Sequence, residues 1–336
     1  MTTSRRRTAL LTAAAVSVAG CAGPESWLEP VGRRAVTTAT VWWILFWLGL
    51  AVYVAVMAVA AIAVVRSRRS PAIATTDVED PPAARRLVLY GGIVGPALVL
   101  LVLNVVTVPM SASVSDRPGG GGDAMVVEVV AEQFWWRVTY PDHGVMTANE
   151  IHIPTGQDVR VRVTSTDVIH SFWVPKLAGK VDATPGHTTE VVLESDEPGR
   201  FRGRCTEFCG LAHAQMVVHV VAQEPDEFDA WLEHQSRPQD IPTDDRLIAG
   251  REVFMSSSCV YCHTVDGHSA GNRIGPDLTH LASRETIAGG ILPNDRGNLG
   301  GWIVDPQALK PGNLMPGTQL AGAELDALLD YLLSLE

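Results

Sequence analysis

The sequence of 336 residues is poor in cysteine, in charge and in basic residues, and each shortage excludes a class of protein. Its five cysteines are too few for a disulfide scaffold, so each cysteine needs its own chemical explanation. Only 19% of the residues are charged, which excludes intrinsic disorder over most of the chain. Lys and Arg total 26 against 37 acidic residues, whereas a nucleic-acid-binding protein needs a basic face. We therefore expect no nucleic-acid partner.

The hydrophobic content of 46% is high for a purely soluble chain, and its first concentration lies at the N-terminus. Arg5-Arg6-Arg7 precede a short apolar run that ends in Val18-Ala19-Gly20-Cys21, the three-part layout of an export signal. This ending resembles the bacterial lipobox, which implies lipidation of the cysteine. An uncleaved anchor is the alternative, but the run is too short to cross a bilayer core of about 30 Å. The sequence predicts a lipoprotein-type signal peptide over residues 1–20 and assigns Cys21 to lipid.

Two longer apolar segments predict a transmembrane hairpin over residues 38–108. They cover about residues 38–65 and 87–108, and each is long enough to cross the membrane as a helix. The intervening segment carries five arginines, Arg66, Arg68, Arg69, Arg85 and Arg86. Because short arginine-rich loops stay in the cytoplasm, we expect a multi-pass protein of the bacterial plasma membrane whose remaining domains lie on the outer face.

The exported part divides into two domains with different periodicity. Residues 124–232 contain the valine-rich segments MVVEVVA, DVRVRVTS, TTEVVLES and MVVHVVA, which predict an antiparallel β-sandwich or barrel. An acidic, proline-punctuated linker follows over residues 233–243. From residue 244 to 336 the pattern becomes helical and ends in leucines with the i, i+3, i+4, i+7 spacing of a packed helix. We therefore expect a multidomain membrane protein with an all-β domain and a small all-α domain.

One short loop of the β domain concentrates metal ligands. The segment CTEFCGLAHAQM contains Cys205, Glu207, Cys209, His213 and Met216. Two thiolates, an imidazole and a thioether favour a soft metal, copper above all. A single-copper electron-transfer site uses one cysteine, so the second suggests a pair of bridging thiolates that hold two coppers. A disulfide or a zinc site is the alternative, although neither uses the methionine or the glutamate.

A second histidine ligand is available at His170, between predicted strands in the segment DVIHSFWVP. This segment, LAGKVDATPG and CTEFCGLAHAQM resemble subunit II of the haem-copper cytochrome c oxidases, and the resemblance covers roughly residues 38–222. It implies a cupredoxin-like barrel that holds a dinuclear copper A centre. The ligands it implies are His170, Cys205, the backbone carbonyl of Glu207, Cys209, His213 and Met216. It also implies that the Glu207 side chain reaches a magnesium ion shared with subunit I.

The sequence departs from this family at two positions. The aromatic motif of the family often reads Gln-Trp-Tyr-Trp, whereas here it is Gln133-Phe134-Trp135-Trp136, so the residue through which soluble cytochrome c delivers electrons is a phenylalanine. Trp135 and Trp136 are candidates for an electron path, with core packing as the alternative. A glutamate near the inner end of the second span, which helps admit protons in the family, aligns with Leu89.

The helical domain contains a second metal motif, Cys259-Val260-Tyr261-Cys262-His263. In an exported chain, Cys-x-x-Cys-His predicts covalent haem c, with the thiols attached to haem and the histidine bound to iron. Met315 in GNLMPG is the candidate for the sixth ligand, because Met255 is too close to the attachment site. The segment Gly275-Pro276-Asp277-Leu278 also matches the cytochrome c pattern, and we expect a turn there whose carbonyl orients His263.

All five cysteines now have a chemical assignment, with one for lipid, two for copper and two for haem. The leading hypothesis is subunit II of a cytochrome c oxidase with a fused cytochrome c domain, which takes electrons at haem c and passes them through copper to subunit I, where oxygen is reduced. Expected partners are oxidase subunits I and III, with cytochrome c or a quinol-cytochrome c reductase as donor. The alternatives are a tethered electron shuttle for another terminal reductase and a copper-delivery protein. The remaining histidines, among them His268 and His280, are expected on the surface or in strands.

Overall fold

The computed structural model describes residues 23–69, 82–115, 124–269 and 271–336. The signal peptide and the lipidation site predicted at Cys21 lie outside the described residues. The chain forms two compact units, one within Val36–Arg117 and the other from the flanking sequence on both sides. The second unit contains both the β domain and the helical C-terminal domain.

Long apolar helices form the membrane unit, as predicted. Helix α1 spans Arg33–Arg69, and the second stretch consists of helix α2 (Pro82–Arg86), a π-helix (Leu87–Val94) and helix α3 (Gly95–Ser115). Both stretches are long and apolar enough to cross a membrane. The helices extend beyond the predicted limits, and arginines expected in the loop continue α1, because arginine is a good helix former.

The β domain consists of two five-stranded sheets packed face to face. The first sheet has the order β3-β2-β1-β5-β8 and the second the order β4-β10-β9-β6-β7. The strands of the first are β1 (Val126–Glu132), β2 (Trp135–Tyr140), β3 (Val145–Ala148), β5 (Val159–Ser165) and β8 (Thr189–Leu193). Those of the second are β4 (Glu150–Pro154), β6 (His170–Trp173), β7 (Val181–Ala183), β9 (Gly199–Cys205) and β10 (Val217–Gln223).

The cupredoxin-like sandwich is confirmed, but the expectation of wholly antiparallel sheets is wrong. Strand β1 runs parallel to β5, and β10 runs parallel to β4. These partners are far apart in the sequence, so the chain has room for the crossover that a parallel pair requires. In β1, β2 and β5 the burial alternates, and β1 turns Val127, Val129 and Ala131 into the core between the sheets.

The segment that leads into helix α1, together with the first residues of that helix, packs on the β domain. The backbone N–H groups of Val31 and Gly32 both donate to the carbonyl of Lys176, at 2.8 and 3.0 Å. A side chain at Gly32 would lie 2.4 Å from the Leu177 carbonyl oxygen, so only glycine permits this close approach. The buried carboxylate of Glu194 pairs with Arg33 and Arg34, each at 2.8 Å. These contacts hold residues 23–35 against the sandwich.

The C-terminal domain is helical around its own apolar core. Its helices are α5 (Asp245–Ser256), α6 (Arg296–Val304), α7 (Pro306–Leu309) and α8 (Gly322–Leu332). The Asp244 carboxylate caps α5 by accepting from two backbone N–H groups. A Cβ at Gly250 would lie 2.0 Å from the Ala327 carbonyl oxygen, so glycine allows α5 and α8 to touch. The domain is helical, as expected, and it also contains a two-stranded ladder of β11 (Thr286–Ile287) and β12 (Leu292–Pro293).

The segment that joins the two domains is partly helical. Helix α4 (Pro225–Gln235) extends into the range assigned to the linker. The chain that follows is bound to the helical domain by two histidines expected on the surface, and both are buried. His268 donates from Nε2 to the Asp240 carbonyl at 2.7 Å, and His280 Nε2 lies 3.0 Å from the Arg237 carbonyl. The expectation failed because these contacts join residues far apart in sequence.

Candidate metal centres

Two free thiols lie at the centre of the first candidate site. Cys205 ends strand β9 and Cys209 follows in the next loop, and both side chains are buried. Their sulfurs are 3.9 Å apart, far beyond the bond length of about 2.05 Å in a disulfide. The structure therefore presents two separate soft ligands, and it does not support the disulfide alternative.

The other predicted ligands surround this pair. His170 Nδ1 lies 3.8 Å from Cys205 Sγ, and His213 Nδ1 lies 3.6 Å from Cys209 Sγ. Met216 Sδ is 4.0 Å from Cys209 Sγ. These distances between donor atoms leave room for ions among them, and each thiol has its own imidazole. The donor set therefore fits a pair of soft metal ions bridged by two thiolates.

Glu207 contributes to the site through its backbone. Its carbonyl oxygen lies 3.2 Å from Cys205 Sγ. Its side chain is exposed. The carbonyl is thus close to the thiols, and the side chain is open to solvent.

Two supporting residues at the site were missed by the sequence analysis. The Asp167 carboxylate lies 2.8 Å from His170 Nε2 and accepts from the backbone N–H of Gln133 at 2.6 Å. The Gln133 side-chain amide donates to the carbonyl of Cys209. The carboxylate fixes the imidazole so that Nδ1 faces the thiols. The three-residue spacing between Asp167 and His170 was the one signal available in the sequence.

The thiols and the imidazole influence each other's ionisation. The hydrogen bond with Cys209 lowers the pKa of Cys205 to about 3, and the same bond raises the pKa of Cys209. Burial lowers the pKa of His170, but hydrogen bonds to Cys205 and Asp167 outweigh it, so that the pKa is raised overall. Without metal, the pair of thiols therefore retains one proton, on Cys209.

The aromatic motif adjoins this site. Trp136 is fully buried, with its ring centroid 6.1 Å from that of His170 and 5.4 Å from that of Phe172. Trp135 is half-buried, and the Arg137 guanidinium lies 5.6 Å from its ring centroid. Trp136 is therefore a core residue in contact with the site, whereas Trp135 faces outwards.

The haem motif lies at the end of a 3-10 helix formed by Ser258–Tyr261. Cys259 and Cys262 are free thiols, and burial raises the pKa of Cys259. The Pro276 carbonyl oxygen lies 2.7 Å from His263 Nδ1, which is the expected contact. Because Nδ1 donates this bond, Nε2 retains its lone pair and can bind iron. The motif therefore fits covalent haem c.

Met315, the predicted sixth ligand, lies in the loop between α7 and α8. Its backbone N–H donates to the Asn313 side chain at 2.9 Å, and its side chain packs against the core of the helical domain. Cys259, Val260 and Leu278 border the same apolar cluster. Met255 is 39% exposed and is not part of this cluster, in keeping with its exclusion as a ligand.

Comparison with known families agrees with this geometry. Residues 144–223 match the model of the cytochrome C oxidase subunit II periplasmic domain, and residues 247–336 match that of cytochrome c. Cytochrome c oxidase subunit 2 of Alkalihalophilus pseudofirmus is 41% identical over 245 residues, which cover 72% of this chain and 71% of that protein. The chain belongs to the cytochrome c oxidase subunit II family.

Other members and one solved structure extend the comparison. Cytochrome c oxidase subunit 2 of Bacillus sp. strain PS3 is 36% identical over 258 residues, with 72% of each chain covered. The crystal structure of the periplasmic domain of subunit II from Bradyrhizobium japonicum is 29% identical and has a TM-score of 0.33, covering 36% of this chain and 95% of that one. Membership in the subunit II family implies copper, and the cytochrome c domain implies haem.

Proposed function

We propose that this member of the subunit II family accepts electrons at haem c and passes them through a dinuclear copper centre to subunit I, where oxygen is reduced. The observation that carries this proposal is the convergence of three side chains and one carbonyl around two buried free thiols. A second motif with the chemistry of haem c lies in the adjoining helical domain. The presence of a haem site and a copper site in one chain supports electron transfer from one to the other.

The copper ligands that we propose are His170, Cys205, the Glu207 carbonyl, Cys209, His213 and Met216. When bound, copper in such a site accepts and releases one electron at a time. The protein provides the frame: β6 and β9 hold two of the ligands in a rigid sheet, and Asp167 orients one imidazole. Because the ligands are held in place, little needs to move when the charge changes.

For the haem we propose Cys259 and Cys262 as the covalent attachment sites and His263 and Met315 as the axial ligands. The hydrogen bond between His263 and Pro276 keeps Nε2 available for iron. A methionine opposite histidine raises the reduction potential of haem iron, which suits an electron acceptor on the outer side of a membrane.

The membrane arrangement follows the same proposal. Two apolar stretches cross the bilayer, and the arginines next to them lie on the cytoplasmic side, so the copper and haem domains are on the outer face. The exposed Glu207 carboxylate is available for a magnesium ion shared with subunit I. Cytochrome c or a quinol-cytochrome c reductase is the donor, subunit III is a further partner, and Cys21 carries the lipid.

Metal analysis and spectroscopy of the full chain, purified from membranes with copper and the haem-attachment machinery supplied, test this function. We expect two coppers with a mixed-valence paramagnetic signal and one covalent low-spin haem per chain. Rapid reoxidation of the haem by the copper centre would complete the assignment. Zinc, a single copper, or a bond between Cys205 and Cys209 that prevents copper binding would refute it.

A further inference from the structure

A glycine-rich turn of the helical domain lies directly on the copper domain. Ala288, Gly289 and Gly290 have consecutive positive φ values of 57°, 76° and 82°. The Val217 N–H donates to the Gly289 carbonyl at 3.1 Å, and His219 Nε2 donates to the Gly290 carbonyl at 3.0 Å. Val217 directly follows the ligand Met216, so this turn meets the copper domain one residue from the metal site.

A buried lysine fastens this contact. Lys310 is 2% exposed, and its Nζ donates to the Phe134 carbonyl of the copper domain at 2.7 Å and to the Ala288 carbonyl at 3.0 Å. Within the described part of the chain, no carboxylate lies within ion-pair distance of it, and burial lowers its pKa to about 7. Its two hydrogen bonds join one carbonyl of each domain. Burial of a polar side chain costs free energy unless the side chain is hydrogen-bonded, and these two bonds satisfy that condition for Lys310.

The turn and the lysine fit each other closely. A Cβ at Gly289 would lie 2.1 Å from Lys310 Nζ and 2.9 Å from the Phe134 carbonyl oxygen. No side chain can replace this glycine without displacing the lysine. Glycine is also favoured here because the φ of Gly289 is positive, a conformation that residues with a side chain rarely adopt.

Lys310 lies between the loops of the two metal centres. On the copper side, the ring of Phe134 lies 3.0 Å from the position of a Cβ at Gly210, the residue after Cys209. On the haem side, Lys310 is in the loop that leads to Met315. One side chain therefore connects the copper loop and the haem loop through Phe134, the position where the family often has tryptophan.

We propose that Lys310 is a positioning residue that holds the 288–290 turn on β10 and thereby sets the rate of electron transfer from haem to copper. The inference rests on the proposed function for the electron step, while the holding of the turn is independent of it. Because tunnelling falls steeply with distance, a small separation of the domains slows transfer without altering either centre.

The test replaces Lys310 with methionine in the full chain, which preserves length and removes both hydrogen bonds. We expect haem reoxidation by copper, followed after photoreduction, to slow severalfold, while the spectra and midpoint potentials of both centres stay as in the wild type. The control is Glu285→Gln, which removes an exposed ion pair with Arg200 across the same contact. Because exposed pairs contribute little, we expect a wild-type rate for the control.

Hydrogen exchange provides a second readout, which needs no metal. The Val217 amide is protected by its bond to Gly289, so Lys310→Met should increase its exchange rate in the metal-free full chain. Gly289→Ala should do the same by displacing the lysine. Gly186→Ala is its matched control, since Gly186 has a φ of 74° but nothing within 4 Å of its Cβ position.

Wild-type transfer rates and a protected Val217 amide in both Lys310→Met and Gly289→Ala would overturn the proposal. If Lys310→Met does not fold, the comparison of Gly289→Ala with its control Gly186→Ala tests the proposal instead. If the wild-type chain lacks two coppers or haem, the proposed function fails, and the exchange experiment still decides whether Lys310 holds the turn.

Discussion

His263 and Pro276 are joined by a hydrogen bond of 2.7 Å from the imidazole Nδ1 to the backbone carbonyl oxygen. The bond fixes the tautomer and the plane of the ring before haem is attached. Gly275 makes this geometry possible, because a Cβ there would lie 2.6 Å from His263 Cε1. The imidazole of His263 therefore packs directly against the backbone of Gly275, with no room for a side chain there.

Replacing Gly275 with valine should displace the imidazole and weaken its bond to iron. We expect a larger high-spin fraction in the optical spectrum of the haem and an unchanged copper signal. Gly322→Ala is the control in the same domain, since nothing lies within 4 Å of its Cβ position. A fully low-spin haem in Gly275→Val would show that the ring does not depend on this close packing.

Replacing Asp167 with alanine should weaken copper binding by about 10- to 100-fold, because the carboxylate orients His170 from behind. The loss also removes the acceptor for the Gln133 N–H and loosens the loop that carries it. Competition with a copper chelator measures the affinity. Asp167→Asn keeps one acceptor oxygen and should fall between the alanine variant and the wild type, whereas equal affinity in all three proteins would contradict an orienting role.

The sequence predicted the functional groups that are close together along the chain. It did not predict contacts between residues that are far apart in sequence. Four of the ligands lie within one stretch of twelve residues, so their chemistry is visible as a motif: Cys205, Cys209, His213 and Met216. Lys310 gave no such signal, because its partners are backbone carbonyls of Phe134 and Ala288, which any residue can supply.

The strand pattern likewise predicted a sandwich but not its pairing. Alternating burial is a property of each strand, whereas the parallel pairing of β1 with β5 depends on crossovers between sheets that alternation does not encode. The buried histidines follow the same logic. His268 binds the Asp240 carbonyl and the Tyr331 hydroxyl, and neither partner is near it in sequence.

The two methionines should affect separate centres. Met315→Ala should remove low-spin haem character and lower the haem potential, because thioether ligation raises that potential. Met216→Leu should alter the paramagnetic signal of copper and leave haem unchanged. Met255→Ala is the control, as Met255 is 39% exposed. If Met315→Ala left the reduced haem spectrum and the potential unchanged, the axial assignment would be wrong.

Copper uptake should release protons and weaken as the pH falls. Copper binds thiolates and neutral imidazole, yet in the metal-free protein the bond to Cys205 raises the pKa of Cys209, and hydrogen bonds raise that of His170 against the effect of burial. Cys205, with a pKa of about 3, is already ionised and contributes no proton near neutral pH. Metal must therefore displace a proton from Cys209. At a pH below the raised pKa of His170, it must also displace the proton on that imidazole.

Each displaced proton makes the apparent affinity fall about tenfold per pH unit as the solution becomes more acidic. Calorimetric titration of the metal-free full chain with copper, in buffers of different ionisation enthalpy, counts the protons released. We expect between one and two protons at neutral pH and a decreasing count towards alkaline pH as His170 loses its proton first. An affinity independent of pH would mean that both thiols are ionised before copper arrives, and that the 3.9 Å sulfur pair does not share a proton.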